Sequence, residues 1–258
     1  MVQANPQSEY EGQSFNGQCH GYGKCKFPDG SSYTGWWQEN VREGYGIYDD
    51  GKGNVYEGGF KNGNFNGYGS YRWASGDKYT GCWKDNKRHG WGDFLGSDGT
   101  TYQGNYKDDK RDGPGTINYN DGSKYWGDWK NDKICGYGNW VFKDGTSYSG
   151  GFNSESKFHG EGQYVTEKDK YYSGNWEDGK KKGRGRQVYS KTSFYDGLWA
   201  DDKQNGDGAM YYDDNSRYLG MWKDGNKHGQ GTFTYADGST FVGTFENDQI
   251  KDGYFTDA

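Results

Sequence analysis

The sequence predicts an all-β fold: an elongated, twisted, single antiparallel sheet of about eleven tandem β-hairpins, each 23 residues long. Three observations predict it. An aromatic-x-Gly pattern returns at a fixed interval, a Gly-x-Gly pair returns at a constant offset behind it, and aromatic rings stand where an ordinary core would have aliphatic side chains.

The interval comes first. Aromatic-x-Gly recurs at Tyr10, Tyr33, Tyr56, Tyr79, Tyr102, Tyr125, Tyr148, Tyr172, Tyr195, Tyr218 and Phe241. Nine of the ten intervals are 23 residues, and the one from Tyr148 to Tyr172 is 24. The array therefore spans residues 10–258 as one domain behind a short tail, residues 1–9.

Gly-x-Gly follows eleven residues after each start, from Gly21/Gly23 and Gly44/Gly46 to Gly206/Gly208 and Gly229/Gly231. It arrives one residue late at Gly160/Gly162, and the last copy keeps only Gly253. Two strands per repeat are legible around these marks. The first is Tyr-x-Gly-x-Trp/Phe, as in Tyr79-Thr-Gly-Cys-Trp83, whose alternate residues share one face. The second follows the glycine pair, as in Gly231-Thr-Phe233-Thr-Tyr235. Turn residues separate them: Lys84-Asp-Asn-Lys87 after the first, Lys143-Asp-Gly145 after the second. Asp169, Thr192 and Asn215 replace the turn glycine before Tyr172, Tyr195 and Tyr218, which predicts looser or differently shaped turns there.

Composition says what holds such a sheet together. Only 29% of residues are hydrophobic, yet 19% are Phe, Trp or Tyr, and 47 glycines accompany three prolines. The fifth repeat position reads Trp37, Phe60, Trp83, Tyr106, Trp129, Phe152, Trp176, Trp199, Trp222 and Phe245, with Ser14 the exception. Each ring buries on the order of 150–250 Å², a gross gain of about 4–6 kcal/mol that ordering costs largely offset. Glycine at the third position leaves room for a ring to lie across the backbone. At ~4.8 Å per strand, twenty-two strands would span roughly 100 Å as a rod or trough.

The net charge of −6 arises from interspersed charges, which argues against nucleic acid as a partner. MVQANPQSEY carries no basic n-region or apolar h-region, and no stretch approaches the roughly 20 apolar residues of a spanning helix. Four cysteines without paired spacing fit a reduced, cytoplasmic compartment.

The repeat unit resembles the MORN repeat (membrane occupation and recognition nexus), best in Tyr218-Leu-Gly-Met-Trp222-Lys-Asp-Gly-Asn-Lys-His228-Gly-Gln-Gly231…Asp237-Gly238. The resemblance implies a family found in ciliary radial spoke heads, protist cytoskeletal scaffolds, junctophilins and chains with lipid-kinase or methyltransferase domains. A chain of repeats alone is similar to the ciliary and cytoskeletal scaffolds. The family name implies membrane or phosphoinositide binding as the alternative.

Candidate sites follow from departures from the period. His20, His89, His159 and His228 precede the first glycine of their pairs three repeats apart, on the order of 30 Å, so no single ion could join them. Cys19, Cys25, Cys82 and Cys135 occupy unrelated positions and lack an oriented base. Gly-x-Gly starts a strand here, whereas phosphate-cradling loops start a helix. No metal, cofactor or catalytic residue is expected. Lys180, Lys181, Lys182, Arg184 and Arg186 form the one basic cluster, either an anion or phosphoinositide site or a solvated loop diluted by Glu177 and Asp178.

The residue between the two glycines is more telling. It is Tyr22, Tyr45, Tyr68, Trp91, Pro114 and Tyr137 in six repeats, then Glu161, Arg184, Asp207 and Gln230, with Tyr254 closing the array. Together with Trp36 and Trp126, these rings read either as a strip of interface anchors or as padding at the sheet edge. The expected function is a non-catalytic scaffold of a ciliary, flagellar or cytoskeletal assembly, binding a protein partner along the aromatic trough or at sheet edges. End-to-end self-association through those edges is a further expectation, and a membrane is the disfavoured alternative.

Overall fold

The computed structural model describes residues 8–258. Residues 1–7, which hold most of the expected tail and of the segment read for a secretory signal, lie outside the described residues. Glu9 already stands in the first strand.

The chain divides into two compact units, one ending at Lys133 and one beginning at Ile134. The first holds β1 (Glu9–Phe15), β2 (Gln18–Lys26), β3 (Ser32–Gln38), β4 (Val41–Asp49), β5 (Val55–Lys61), β6 (Asn64–Arg72), β7 (Lys78–Lys84), β8 (Lys87–Leu95), β9 (Thr101–Lys107), β10 (Lys110–Asn118) and β11 (Lys124–Lys130). The second opens with β12 (Lys133–Val141), then β13 (Ser147–Phe152), β14 (Phe158–Glu167), β15 (Lys170–Glu177), β16 (Lys180–Val188), β17 (Phe194–Ala200), β18 (Lys203–Tyr211), β19 (Arg217–Lys223), β20 (Asn226–Thr234), β21 (Thr240–Glu246) and β22 (Gln249–Thr256). Within each unit every strand pairs antiparallel with the next, and no pairing closes the sheet into a barrel. Helix is absent among the described residues. The all-β hairpin-repeat reading is therefore right.

Turn chemistry sets the hairpins. In ten of them a two-residue turn has both φ values positive, as at Asp85 (50°) and Asn86 (66°). That geometry matches the twist of paired strands and selects Asn, Asp and Gly. The exception is the longer seventh repeat, whose extra residue sits in the loop closed by the Asn153 N–H to Lys157 carbonyl hydrogen bond. Between hairpins, Asp-Gly-Ser/Thr forms a second turn. Gly30 N donates to the Phe27 carbonyl, and the Asp29 carboxylate accepts from Ser31 N and Oγ. Of the three turns lacking that glycine, Asn215 keeps the usual shape, with φ of 67° and its N–H on the Tyr212 carbonyl. The expected change fails there because asparagine tolerates the left-handed region. It holds at Asp169, in a two-residue turn between Glu167 and Lys170, and at Thr192, where Ser190 Oγ accepts the Thr192 and Ser193 N–H groups.

The core is a ladder of rings. The repeat-opening Tyr33, Tyr56, Tyr79 and their equivalents are essentially inaccessible, and so are the fifth-position rings. Within each unit, the tyrosines from Tyr33 on stand edge-on to the fifth-position ring of their own repeat and of the next: Tyr33 lies 5.0 Å from Trp37 and 4.8 Å from Phe60, at 86° and 75°. T-shaped pairs of this kind add to area burial. Tyr33 Oη also donates to the Trp36 carbonyl at 3.0 Å, and Trp37 Nε1 donates to the Gly23 carbonyl at 3.1 Å.

A bulge explains why the Trp36 carbonyl needs a partner. Gly35 faces Gly46 but Trp37 faces Arg42, so one residue, Trp36, opposes three. The bulge also separates the roles of the paired glycines. Gly44 has a φ of +65°, whereas a Cβ on Gly46 would meet the Tyr33 ring at 2.4–2.5 Å. Glycine thus admits the ring, as expected, but it is the ring of the repeat's own opening tyrosine. The last repeat lacks one residue of the bulge. Gly253 faces Gly243 and so takes the second glycine's place, which moves Tyr254 opposite Val242 and out of the series Tyr22 to Gln230.

Candidate protein-docking surface

Period-two alternation sends Tyr33, Gly35 and Trp37 to the ladder face of β3 and leaves Thr34 and Trp36 on the other. The residue between the paired glycines also lies on that other face. Tyr22 pairs with Trp36, Tyr45 with Gly59, Tyr68 with Cys82 and Trp91 with Asn105.

All seven residues expected as anchors are exposed there. Tyr68 and Tyr137 are 66% accessible and Trp91 54%, while Trp126 is least so at 39%. Five of them form one row in the first unit. Tyr22 and Trp36 make a T-shaped pair at 6.1 Å and 77°, and Tyr45, Tyr68 and Trp91 follow on alternate strands. The row borders the glycines Gly23, Gly35, Gly46, Gly58, Gly69, Gly81 and Gly92, which face one another strand by strand. Trp126 is off this row, opposite Thr116, with the Lys124 ammonium 5.6 Å from its ring centroid. Tyr137 belongs to the second unit, opposite Gly151.

Packing does not dictate these rings. Glu161, Arg184, Asp207 and Gln230 occupy the same position in the second unit and are equally open to solvent. Tyr45 is tied down by its Oη donating to Glu57 Oε1 at 2.6 Å; that bond to a carboxylate raises its pKa. Three neighbours were not read from the sequence as part of this surface. Ile47, 41% exposed, extends the apolar surface beside Tyr45, and Gly59 and Cys82 floor the gaps flanking Tyr68. Aligning the repeats column by column would have found all three.

The basic cluster is divided. Lys180 pairs with Asp201 at 3.0 Å, Lys182 with Glu177, and Arg186 with Asp196 at 2.6 Å. Lys181 points to the ladder face, its ammonium 4.8 Å from the Tyr172 and Trp199 ring centroids, and burial lowers its pKa. It lines a cleft of about 350 Å³ with Phe142, Phe158, Tyr164, Gln187 and Asp202. Arg184, like Lys181, makes no ion pair among the described residues, and it lies on the opposite face, across from Leu198. Five cations adjacent in sequence therefore do not converge on one anion.

Cys19 and Cys25 are buried and Cys82 and Cys135 partly so, all as free thiols. Among the described residues no three His, Cys, Asp or Glu side chains gather as a metal site.

The MORN-repeat profile matches residues 10–32, 33–55, 56–78, 79–101, 102–124, 125–147, 172–193, 195–217 and 218–240. The unmatched intervals are the longer seventh repeat and the shortened last one. No curated protein matches the chain. Among solved structures, the TCP10 domain of Danio rerio CPAP, in complex with a STIL peptide, is 11% identical with a TM-score of 0.42, covering 97% of this chain and 100% of that one. The SAS-4 (dCPAP) TCP domain of Drosophila melanogaster, in complex with a proline-rich motif of Ana2, is 13% identical with a TM-score of 0.37, covering 60% and 85%.

Proposed function

This chain belongs to the MORN-repeat family, and from that premise we propose that it is a non-catalytic protein–protein interaction scaffold. Its place is a structural role in a ciliary or flagellar axonemal assembly of the radial-spoke kind, or in a cytoskeletal one, within the cytoplasm. The observation that carries the reading is the exposed row Tyr22, Trp36, Tyr45, Tyr68 and Trp91, which the ladder does not need and solvent does not favour. Large rings held on a rigid sheet lose little entropy on docking and supply the anchors typical of protein interfaces. Repetition along the chain also spreads titratable groups instead of converging them, as acid–base catalysis would require.

The phosphoinositide alternative is weaker. Three of the five cations it would use already have carboxylate partners, and a fourth lies against rings.

Affinity purification from the protein's own cells tests the reading. Axonemal or cytoskeletal proteins should co-purify in fixed ratio with the wild type and be lost with Tyr45→Ser/Tyr68→Ser/Trp91→Ser. Recovery of the same proteins by the triple variant would remove the row from the account. Recovery with membranes only, abolished in Lys180→Glu/Arg184→Glu, would favour the alternative.

A further inference from the structure

The spacing of the row selects a kind of ligand. Tyr45, Tyr68 and Trp91 stand at one repeat position on every second strand, so neighbours are about 9.6 Å apart at ~4.8 Å per strand. A helical peptide crossing the strands would present side chains every ~5.4 Å per turn, and a β-strand every ~6.8 Å on one face. Neither repeats at the interval of the rings. A polyproline II segment advances ~3.1 Å per residue with three residues per turn, or ~9.3 Å, and does.

The gaps between the rings have matching shape. Gly59 floors the one between Tyr45 and Tyr68, and Cys82 the one between Tyr68 and Trp91, so each ends on a small residue between two exposed rings. Such a slot accepts a flat pyrrolidine ring, and polyproline ligands are pre-ordered, so little entropy is lost on docking.

Charge fixes the rest of the ligand. In the next row of side chains along these strands, ~7 Å away, the pairs are Ile47–Glu57, Ser70–Thr80 and Asp93–Gln103. The two charged members, Glu57 and Asp93, are both acidic and exposed. We propose that the Tyr45–Tyr68–Trp91 row is a binding site for an extended proline-rich protein segment with proline at every third residue and Arg or Lys between, lying across the strands. The proposal rests on the docking reading above and names the partner's chemistry.

Synthetic peptides of about twelve residues, four polyproline turns long, provide the test by fluorescence anisotropy against the full chain. A Pro-Ala-Arg triplet repeat should bind. A peptide of identical composition with proline at every second and fourth position should bind about tenfold more weakly, as should the triplet peptide to Tyr45→Ser/Tyr68→Ser. Glu57→Lys/Asp93→Lys should weaken the triplet peptide and not one with Gln in place of Arg. Circular dichroism confirms that each variant is folded. Equal binding of both proline spacings, or binding indifferent to the Tyr45 and Tyr68 substitutions, would overturn the proposal. If the triple serine variant loses its cellular partner while wild type ignores every proline peptide, the docking surface stands and the polyproline occupant falls.

Discussion

Gly92 and Gly99 lie seven residues apart and do different work. A Cβ on Gly92 would sit 2.3 Å from Tyr79 Oη and 2.4 Å from two of its ring carbons, and the ring is wedged against Trp83 and Tyr106. Gly99 has a φ of +89° with open space around it. Gly92→Ala must displace a ladder ring and should cost at least ~3 kcal/mol, whereas Gly99→Ala carries only backbone strain and should cost ~1 kcal/mol. Urea unfolding of the two variants checks this, and equal costs would mean that the ring does not rest on the glycine. The tyrosines themselves carry a pH signature. Burial pushes Tyr106 and Tyr218 up to about 12, and Tyr33, Tyr56, Tyr79, Tyr102, Tyr148, Tyr172 and Tyr195 rise for the same reason. Their folded pKa exceeds the ordinary value near 10, so the stability they contribute is whole below pH ~10 and falls as pH rises toward about 12. Tyrosinate absorbance from the ladder should therefore appear together with loss of the sheet's circular dichroism in that window. Ionisation of these tyrosines near pH 10 with the sheet intact would contradict their burial.

At the scale of the strand, the tenth repeat position is where neighbouring hairpins are tied. Arg88 donates from its backbone N and from Nε to Asp109, in the next hairpin's turn, and Arg111 does the same to Asp132. Lys181 and Lys227 face Asp202 and Asp248 in the same way through their backbone N–H groups. Arg42 is the odd member: it faces Gly63, gives Nη2 to that carbonyl at 2.6 Å, and leaves Nε and Nη1 buried without partners. Gly63→Asp places the missing carboxylate at a φ of 77°, close to the 70° that Asp109 already adopts. The substitution should stabilise the chain by ~1 kcal/mol, read as a higher urea midpoint at unchanged slope. A lower midpoint would show that the carboxylate cannot reach the guanidinium. This column also marks a limit of the sequence. The ladder was legible because Tyr33, Tyr56 and Tyr79 answer one packing demand with one residue type. The tenth position answers its demand with Cys19, Arg42, Phe65 or Arg88, so its chemistry has no period. Likewise, Lys180 to Arg186 reads as one patch until the bulge around Gly183 turns Lys181 onto the ladder and Arg184 away from it.

Across the whole chain, the two sheet faces obey different rules. The ladder face keeps its rings from Tyr33 to Phe245. The opposite face carries exposed rings between the paired glycines at Tyr22, Tyr45, Tyr68 and Trp91 in the first unit, and in the second it changes after Tyr137 to Glu161, Arg184, Asp207 and Gln230. The change of residue type was visible in the sequence; that these side chains share one face, with solvent above them, needed the strand register. The account thus assigns folding to one face and docking to the other. The most direct test is thermal unfolding of Tyr45→Ser/Tyr68→Ser/Trp91→Ser beside Trp83→Ala. The account predicts a triple variant melting within about 3 °C of wild type, and a single ladder variant that loses ~3–5 kcal/mol and melts far below it. A triple variant as damaged as Trp83→Ala would mean that the exposed rings pad the sheet, and the docking surface would have to be sought elsewhere.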